Sequence, residues 1–504
     1  MRIASPTTAA ARWRAALIDP ASSNRTVLLA LAFYVVLWTI YGTIAKGSQG
    51  LHPDMTELIA WSRDLSFGYL KHPPLAAWLV RGWFTIFPVT ESSYYLLAML
   101  MPAAALWFAW IVSADYLDIE KRVVGLVLLT LIPFFNFHAL KFNVNTVLMP
   151  LWAATTFWFL RSYRSRSRIY AVLAGVGAGA CMLGKYWSVV LLAGLFIAAL
   201  IDKRRADYFR SAAPYITALA GLAVLAPHLA WLARNDFAPF RYALGVHGDK
   251  GFGGAVFSVV GYLGGSFGYV ALPVVIVLIA AVPRWKTLAD MAWPADTERR
   301  LAAAVFWGGL LTPVVIALAS GTDITSLWSM PAWTLLPVLL LSPSAVTIGA
   351  IDTRRLLIGA AAVPIVALLV SPAVAIIAQR AGPLPASAHA EQLAAQVDKA
   401  WSAATPQPLR FVGGETDVVY GIITYASGHP RALPGLTRPG EAELAQAGQA
   451  IGCFAQDNPC RQKAAGNPAT EIEIVRNYLG FAGKPQRYTI FVVAPGSPAT
   501  PAIR

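Results

Sequence analysis

Charge is scarce in this chain. Asp, Glu, Lys and Arg make up 13% of its 504 residues, against about 25% in a soluble globular protein. An ordinary water-soluble fold is thereby excluded. Cysteine is almost missing, at three residues, which excludes a disulfide-dense scaffold and a Cys-rich zinc site. No Walker A, GxGxxG or HExxH segment occurs, so a nucleotide-driven pump, a redox enzyme or a zinc protease of those types lacks support.

What is present is apolar. Hydrophobic residues make up 57% of the chain, and several of their runs reach the roughly 18 residues that cross a bilayer as a helix. They lie near 27–45, 93–113, 123–137, 144–160, 169–183, 187–201, 212–232, 254–282, 301–320, 327–341 and 356–378. The pattern predicts a polytopic α-helical membrane protein of about eleven transmembrane helices. Gly184-Lys185 divides a stretch too long for one helix and predicts a tight turn at the membrane surface. The first run follows Arg12, Arg14 and Arg25 and precedes Lys46. It is longer than a signal-peptide core and reads as a retained helix.

The net charge is +14, but the cations sit in short loops such as 161–168 and 202–210. No basic stripe with interleaved aromatics appears, so nucleic acid is not expected. The excess on alternate loops places the N-terminus, 1–26, in the cytoplasm. Residues 27–378 then form the transmembrane domain, with a long outer loop at 46–92, and 379–504 lie outside. In that tail, "PLRFVGG", "YGIITYA", "AIGCFA" and "RYTIFVVAP" read as strands. "AEQLAAQVDKAWSAA" and "ATEIEIVRNYLGFAG" read as helix or strand–helix segments, giving a small periplasmic α/β domain. Cys453 and Cys460 fit no zinc signature and are expected as a disulfide on an oxidising side. Cys181, alone in a span, reads as packing.

The outer loop holds "LHPDMTELIAWSRDLSFGYLKHPPLAAW" at 51–78. Its aromatic and apolar residues recur at roughly helical spacing, as in helices lying along an interface. Asp54, with Glu57 three residues on, reads either as a helix cap in a capping box or as a general base. Lys71 and His72 precede Pro73-Pro74, which hold the backbone extended. Rigid cations beside a membrane suit a lipid phosphate, although Lys71 alone also reads as a snorkelling anchor.

Other expected outer-side groups are Lys185 and Tyr186 in the turn, and His138, Lys141, Asn143 and Asn145 in "HALKFNVN". "RNDFAPFRYALGVHGDKGFGG" adds Arg234, Asn235, Asp236, Arg241, His247 and Lys250, with a Gly-rich end that reads as a lid or as a plain connection. His228, within a span, reads as a buried, hydrogen-bonded histidine.

An acid just after the first span, then "GYLKHPPLAAW", the Asn145 turn and "GKYW" together resemble the bacterial GT-C glycosyltransferases. These are related to protein O-mannosyltransferases and lipid A aminoarabinose transferases (glycosyltransferase family 39-like). The resemblance covers about residues 27–340 and is most specific at Asp54 with GY-x-x-HPPL. It implies a GT-C fold, a polyprenyl-phosphate sugar donor and a lipid or polysaccharide acceptor at the bacterial inner membrane. It puts Asp54 at the catalytic position. His72, with Lys71, and Lys185 take the phosphate side, and the later-loop cations Arg241 and His247 join them. Tyr69, Asn143, Asn145 and Tyr186 fall on the substrate side.

The chain departs from the family pattern twice. Met55 stands where a second acid is usual, which brings Glu57 into question as its substitute. Asn145 stands where Asp is common. No cofactor is implied, and without the second acid a metal-dependent mechanism is not favoured. A lipid or sugar transporter is the alternative, and it predicts ionisable groups near the midplane and repeated broken helices. A noncatalytic relative is the other.

Overall fold

The structure is a computed structural model that describes residues 9–248, 250–382, 389–433 and 439–497, apart from the side chain of His247. It divides into two compact units. One contains Met1–Trp38, Phe67–Leu75 and Leu96–Val366; the other contains Thr39–Ser66, Ala76–Tyr95 and Ala367–Arg504.

Helices dominate, and ten of the eleven apolar runs fall almost wholly on helical backbone, the run 123–137 only in part. Among the described residues, six helices are long and apolar enough to cross a membrane: Ser23–Lys46, Glu91–Ser113, Ala213–Arg234, Gly251–Ala281, Thr297–Ser320 and Ala350–Ala381. Shorter apolar helices accompany them, including Arg168–Gly184. The turn expected at Gly184-Lys185 is present. Lys185 is extended, at φ −164°, and a single 3-10 turn, Tyr186–Ser188, leads into Val189–Ile201. The third run is cut short because Ile132 is extended before Pro133, which cannot continue a helix.

Two mechanisms hold the first unit together. Small residues bring helices close: a Cβ at Gly175 would lie 2.3 Å from the Thr217 carbonyl oxygen, so only glycine permits that crossing. Charged groups at helix ends are tied to one another. Arg164 reaches Asp115 at 2.8 Å and Glu298 at 2.6 Å, and Arg204 also pairs with Glu298. Gly251, Gly253 and Gly254, read above as a lid or as a plain connection, open the 31-residue helix Gly251–Ala281.

In the second unit the tail builds a five-stranded mixed sheet from β1 (Phe411–Gly414), β2 (Arg431–Ala432), β3 (Gln449–Phe454), β4 (Ala469–Ile474) and β7 (Gln486–Val493). The order is β2-β1-β3-β7-β4. β1 runs parallel to β2 and β3, and β7 runs antiparallel to β3 and β4. Two expectations fail here. "YGIITYA" falls on the helix Thr416–Tyr425, whose Val418, Val419, Ile422 and Ile423 recur at helical spacing and are buried. "ATEIEIVRNYLGFAG" contains no helix: it forms β4 and a hairpin of β5 (Asn477–Tyr478) and β6 (Phe481–Ala482). Alternating Thr, Glu and Ile favour a half-exposed edge strand.

The helix Ala390–Ala404 is as read. Cys453 on β3 is bonded to Cys460, with Cα atoms 5.8 Å apart. Cys181 is buried.

Candidate functional site

Asp54 and Glu57 stand on the helix Pro53–Arg63 in the second unit. Asp54 is not its cap. That place belongs to His52, which is extended (φ −63°, ψ 145°) and accepts the Asp54 backbone N–H on Nδ1 at 3.1 Å. Pro53 follows at the first helical position, where a missing N–H is harmless. The capping box expected between Asp54 and Glu57 is therefore absent. The two acids lie three residues apart on the half-exposed face, while Met55, Leu58 and Ile59 point into the core.

The Asp54 carboxylate is 40% exposed and lies 3.6 Å from His52 Nδ1. Its first-turn place puts it near the positive end of the helix dipole. Met55, where the resemblance expects a second acid, is 1% exposed, and its carbonyl accepts the Tyr94 hydroxyl at 3.1 Å. A carboxylate there would face the core, whereas Glu57 shares the face of Asp54.

This helix is mounted on the tail. It packs against Thr416–Tyr425. Arg63 donates to the Pro430 carbonyl at 2.9 Å, and Asp64 pairs with Arg431 at 3.3 Å.

The cations belong to the first unit. Tyr69 N–H donates to the His72 carbonyl at 3.0 Å and closes a turn around Leu70 and Lys71. Pro73 and Pro74 are buried behind it, Tyr69 is fully buried, and Lys71 and His72 are half-buried. The Lys71 ammonium lies 5.8 Å from the centre of the Tyr242 ring. Gly68 is pressed against Trp231, where an added Cβ would lie 2.3 Å from the indole.

His228, one turn before Trp231, bonds the Phe67 carbonyl through Nδ1 at 2.5 Å and the Tyr186 hydroxyl through Nε2 at 2.9 Å. A carbonyl only accepts, so in the neutral ring Nδ1 carries the proton and Nε2 accepts from Tyr186. His228 is thus buried and hydrogen-bonded, as read, and it also fixes the start of the Lys71–His72 turn.

Lys185 donates to Asn145 Oδ1 at 2.9 Å, and its ammonium lies 4.4 Å from the centre of the Trp328 ring. Trp187 holds that ring by donating to the Trp328 carbonyl at 3.2 Å. Asn143 caps the helix Val144–Ser165, its side-chain oxygen accepting from the Asn145 and Thr146 N–H groups at 2.9 and 3.3 Å. Arg241 is exposed on the helix Ala238–His247. The His247 side chain lies outside the described residues. His138 packs edge-on against Tyr269 at 5.0 Å. Among the described residues, no three His, Cys, Asp or Glu side chains form a metal cage.

Reading the sequence missed His52, Trp231, Tyr242 and Trp328. The last three are aromatics, for which a packing role is the ordinary expectation, and only the tertiary fold brings Trp231 to Gly68, Tyr242 to Lys71 and Trp328 to Lys185.

The family described as dolichyl-phosphate-mannose-protein mannosyltransferase matches residues 71–231. The lipopolysaccharide core galacturonosyltransferase RgtB of Rhizobium johnstonii is 28% identical over 319 residues, 61% of this chain and 63% of its own length. The lipid A galacturonosyltransferase RgtD of the same organism is 26% identical over 254 residues, 48% of this chain and 52% of its own length. The chain thus spans about half to two thirds of these curated relatives.

In fold it is similar to ArnT from Cupriavidus metallidurans bound to undecaprenyl phosphate, with a TM-score of 0.60 at 11% identity, covering 94% of this chain and 98% of that one. The apo form of ArnT gives a TM-score of 0.55. The chain is a relative of the GT-C glycosyltransferases. It is a polytopic helical membrane protein with the ArnT fold. The family match contains Lys71, His72, Asn145, Lys185 and His228 of this GT-C relative but begins after Asp54 and Glu57.

Proposed function

We propose that this protein transfers a sugar from a polyprenyl-phosphate carrier to lipid A or the lipopolysaccharide core at the bacterial inner membrane. Asp54 takes the proton of the acceptor hydroxyl as its oxygen attacks the anomeric carbon. The bond from that carbon to the phosphate oxygen breaks, and polyprenyl phosphate leaves with the electron pair. Lys71, His72 and Lys185 hold the phosphate through charge-assisted hydrogen bonds. Glu57 supports Asp54 as a second carboxylate. The chain crosses the membrane about eleven times, with residues 1–26 in the cytoplasm and 379–504 in the periplasm.

The observation that carries this reading is the similarity to two lipopolysaccharide and lipid A galacturonosyltransferases, taken with the aromatic rings set beside Lys71 and Lys185. The same similarity favours a hexuronic acid as the sugar. The test uses the full chain in proteoliposomes with undecaprenyl phosphate-linked galacturonic acid and lipid A. The expected products are free undecaprenyl phosphate and uronic acid-bearing lipid A in equal amounts. Donor and acceptor recovered unchanged, with a correctly folded protein, would overturn the reading.

A further inference from the structure

One cavity, lined wholly by the first unit and by none of the candidate site residues above, has a volume of about 530 Å³. Its walls come from the N-terminal turn of Ser23–Lys46, the end of Glu91–Ser113, the start of Ile119–Thr130 and the end of Val144–Ser165. Three of these are ends of long helices, so the cavity lies where apolar chain gives way to polar chain. That is the headgroup level of a bilayer.

Two guanidinium groups line it, those of Arg122 and Arg161. Arg161 pairs with Asp115 at 2.7 Å, a carboxylate it shares with Arg164. Arg122 has no carboxylate within salt-bridge distance among the described residues. Of its acidic neighbours in the chain, Glu120 is held by Arg14 at 2.7 Å, and Asp118 caps its helix through the Lys121 N–H.

Arg122 is nonetheless fixed in place. It stacks 3.8 Å above the Trp110 ring and donates to the Trp110 carbonyl at 3.1 Å. The Trp110 indole is in turn fixed by Asn24 Oδ1 at 2.8 Å. Asp115, whose charge also acts on Arg122, is already held by Arg161 and Arg164, and a half-buried cation without a carboxylate of its own is costly at a membrane boundary unless an anion meets it. A rigid, planar guanidinium suits a phosphate. The first turn of the Ser23–Lys46 helix adds the positive end of a helix dipole, and Trp107 and Ile111 supply an apolar wall.

We propose that this cavity binds the phosphate of an anionic glycerophospholipid. Arg122 and Arg161 hold the headgroup, and Trp107 and Ile111 take the start of an acyl chain. The site is separate from the proposed donor phosphate site.

The test is lipid binding by the full chain in detergent, followed by native mass spectrometry with phosphatidylglycerol. Arg122→Met should weaken the tightest phosphatidylglycerol site at least about tenfold, the loss expected for a charge-assisted hydrogen bond. Because that change also alters packing on Trp110, Ala114→Glu is the companion variant. Ala114 is exposed on the cavity rim, so a carboxylate there repels the phosphate and leaves Arg122 and Trp110 in place. It should weaken binding similarly, while Lys185→Ala leaves this site unchanged. Unaltered phosphatidylglycerol affinity in Ala114→Glu would overturn the proposal. So would equal affinity for phosphatidylcholine, or displacement of the lipid by inorganic phosphate at equal concentration.

Discussion

The Lys185 ammonium donates to Asn145 Oδ1 across 2.9 Å. A neutral amide orients the lysine and adds no negative charge of its own beside it. A carboxylate at position 145 would form an ion pair instead. Asn145→Asp is therefore expected to weaken undecaprenyl phosphate binding, and Lys185→Ala to weaken it about 10- to 150-fold, the range for losing a charge-assisted hydrogen bond. Equilibrium binding of the lipid phosphate to purified protein measures both, and unchanged affinity in Lys185→Ala places the phosphate elsewhere.

Asp54→Asn separates charge from shape. His52, not Asp54, caps the helix, so the amide should cost at most about 1 kcal/mol, the scale of one helix-dipole interaction. Transfer should fall at least about 100-fold, the usual scale of general-base catalysis. A folded Asp54→Asn protein that turns over normally would move the role to Glu57.

The mount of that helix can be tested by a charge swap. Asp64→Arg places two cations against each other at the Asp64–Arg431 pair and should loosen the Pro53–Arg63 helix, seen as faster amide exchange. Adding Arg431→Asp restores the attraction and should recover most of the protection. Failure of the double variant to recover would mean that the pair does not position the helix.

His228 offers a different separation. Asn at this position keeps an amide near Nδ1, to meet the Phe67 carbonyl, but cannot reach Tyr186; Gln does the reverse. His228→Gln should therefore speed amide exchange in residues 67–72 more than Tyr186→Phe does. Equal exchange in both would leave the turn held by Trp231 and the prolines alone.

A pH response is built into the tail. Burial, and then the positive charge of Arg476, push His389 down from 6.5 to about 4, while its Nδ1 meets the Tyr488 hydroxyl at 3.1 Å. Between those values the unfolded tail binds a proton that the folded tail refuses. Stability is therefore full above about pH 6.5 and is lost as pH falls toward 4, by about 3 kcal/mol in all. Hydrogen exchange of β3 and β7 peptides between pH 7 and 4.5 should show this loss in the wild type and less of it in His389→Gln. An identical pH response in both would exclude His389 as the source.

The helical part of the fold was legible because apolar runs broken by charge and by Gly184-Lys185 follow directly from what a bilayer tolerates. β1, β3 and β7 were legible from short apolar, β-branched runs. "YGIITYA" misled because its Ile, Thr and Tyr favour strands, although Val418, Val419, Ile422 and Ile423 already carried a helical repeat. At the site, Asp54, Lys71, His72 and Lys185 stand out as polar groups beside apolar runs. Trp328 and Tyr242 do not, since a tryptophan or tyrosine near a span is ordinary and its partner lies far away in the chain. The capping box failed on one residue: Pro53 prefers the first helical position, which makes His52 the cap.

β4 ends the sheet, and its edge carries Glu471 and Glu473, which pair with Arg461 at 2.9 Å and Arg487 at 2.8 Å. Copies tethered to one membrane meet at a far higher effective concentration than free molecules do. An apolar open edge would then recruit the same strand from a neighbouring copy. Docking a second strand on this edge would strip water from those charged pairs, so the charged edge disfavours strand pairing between copies in the plane of the membrane.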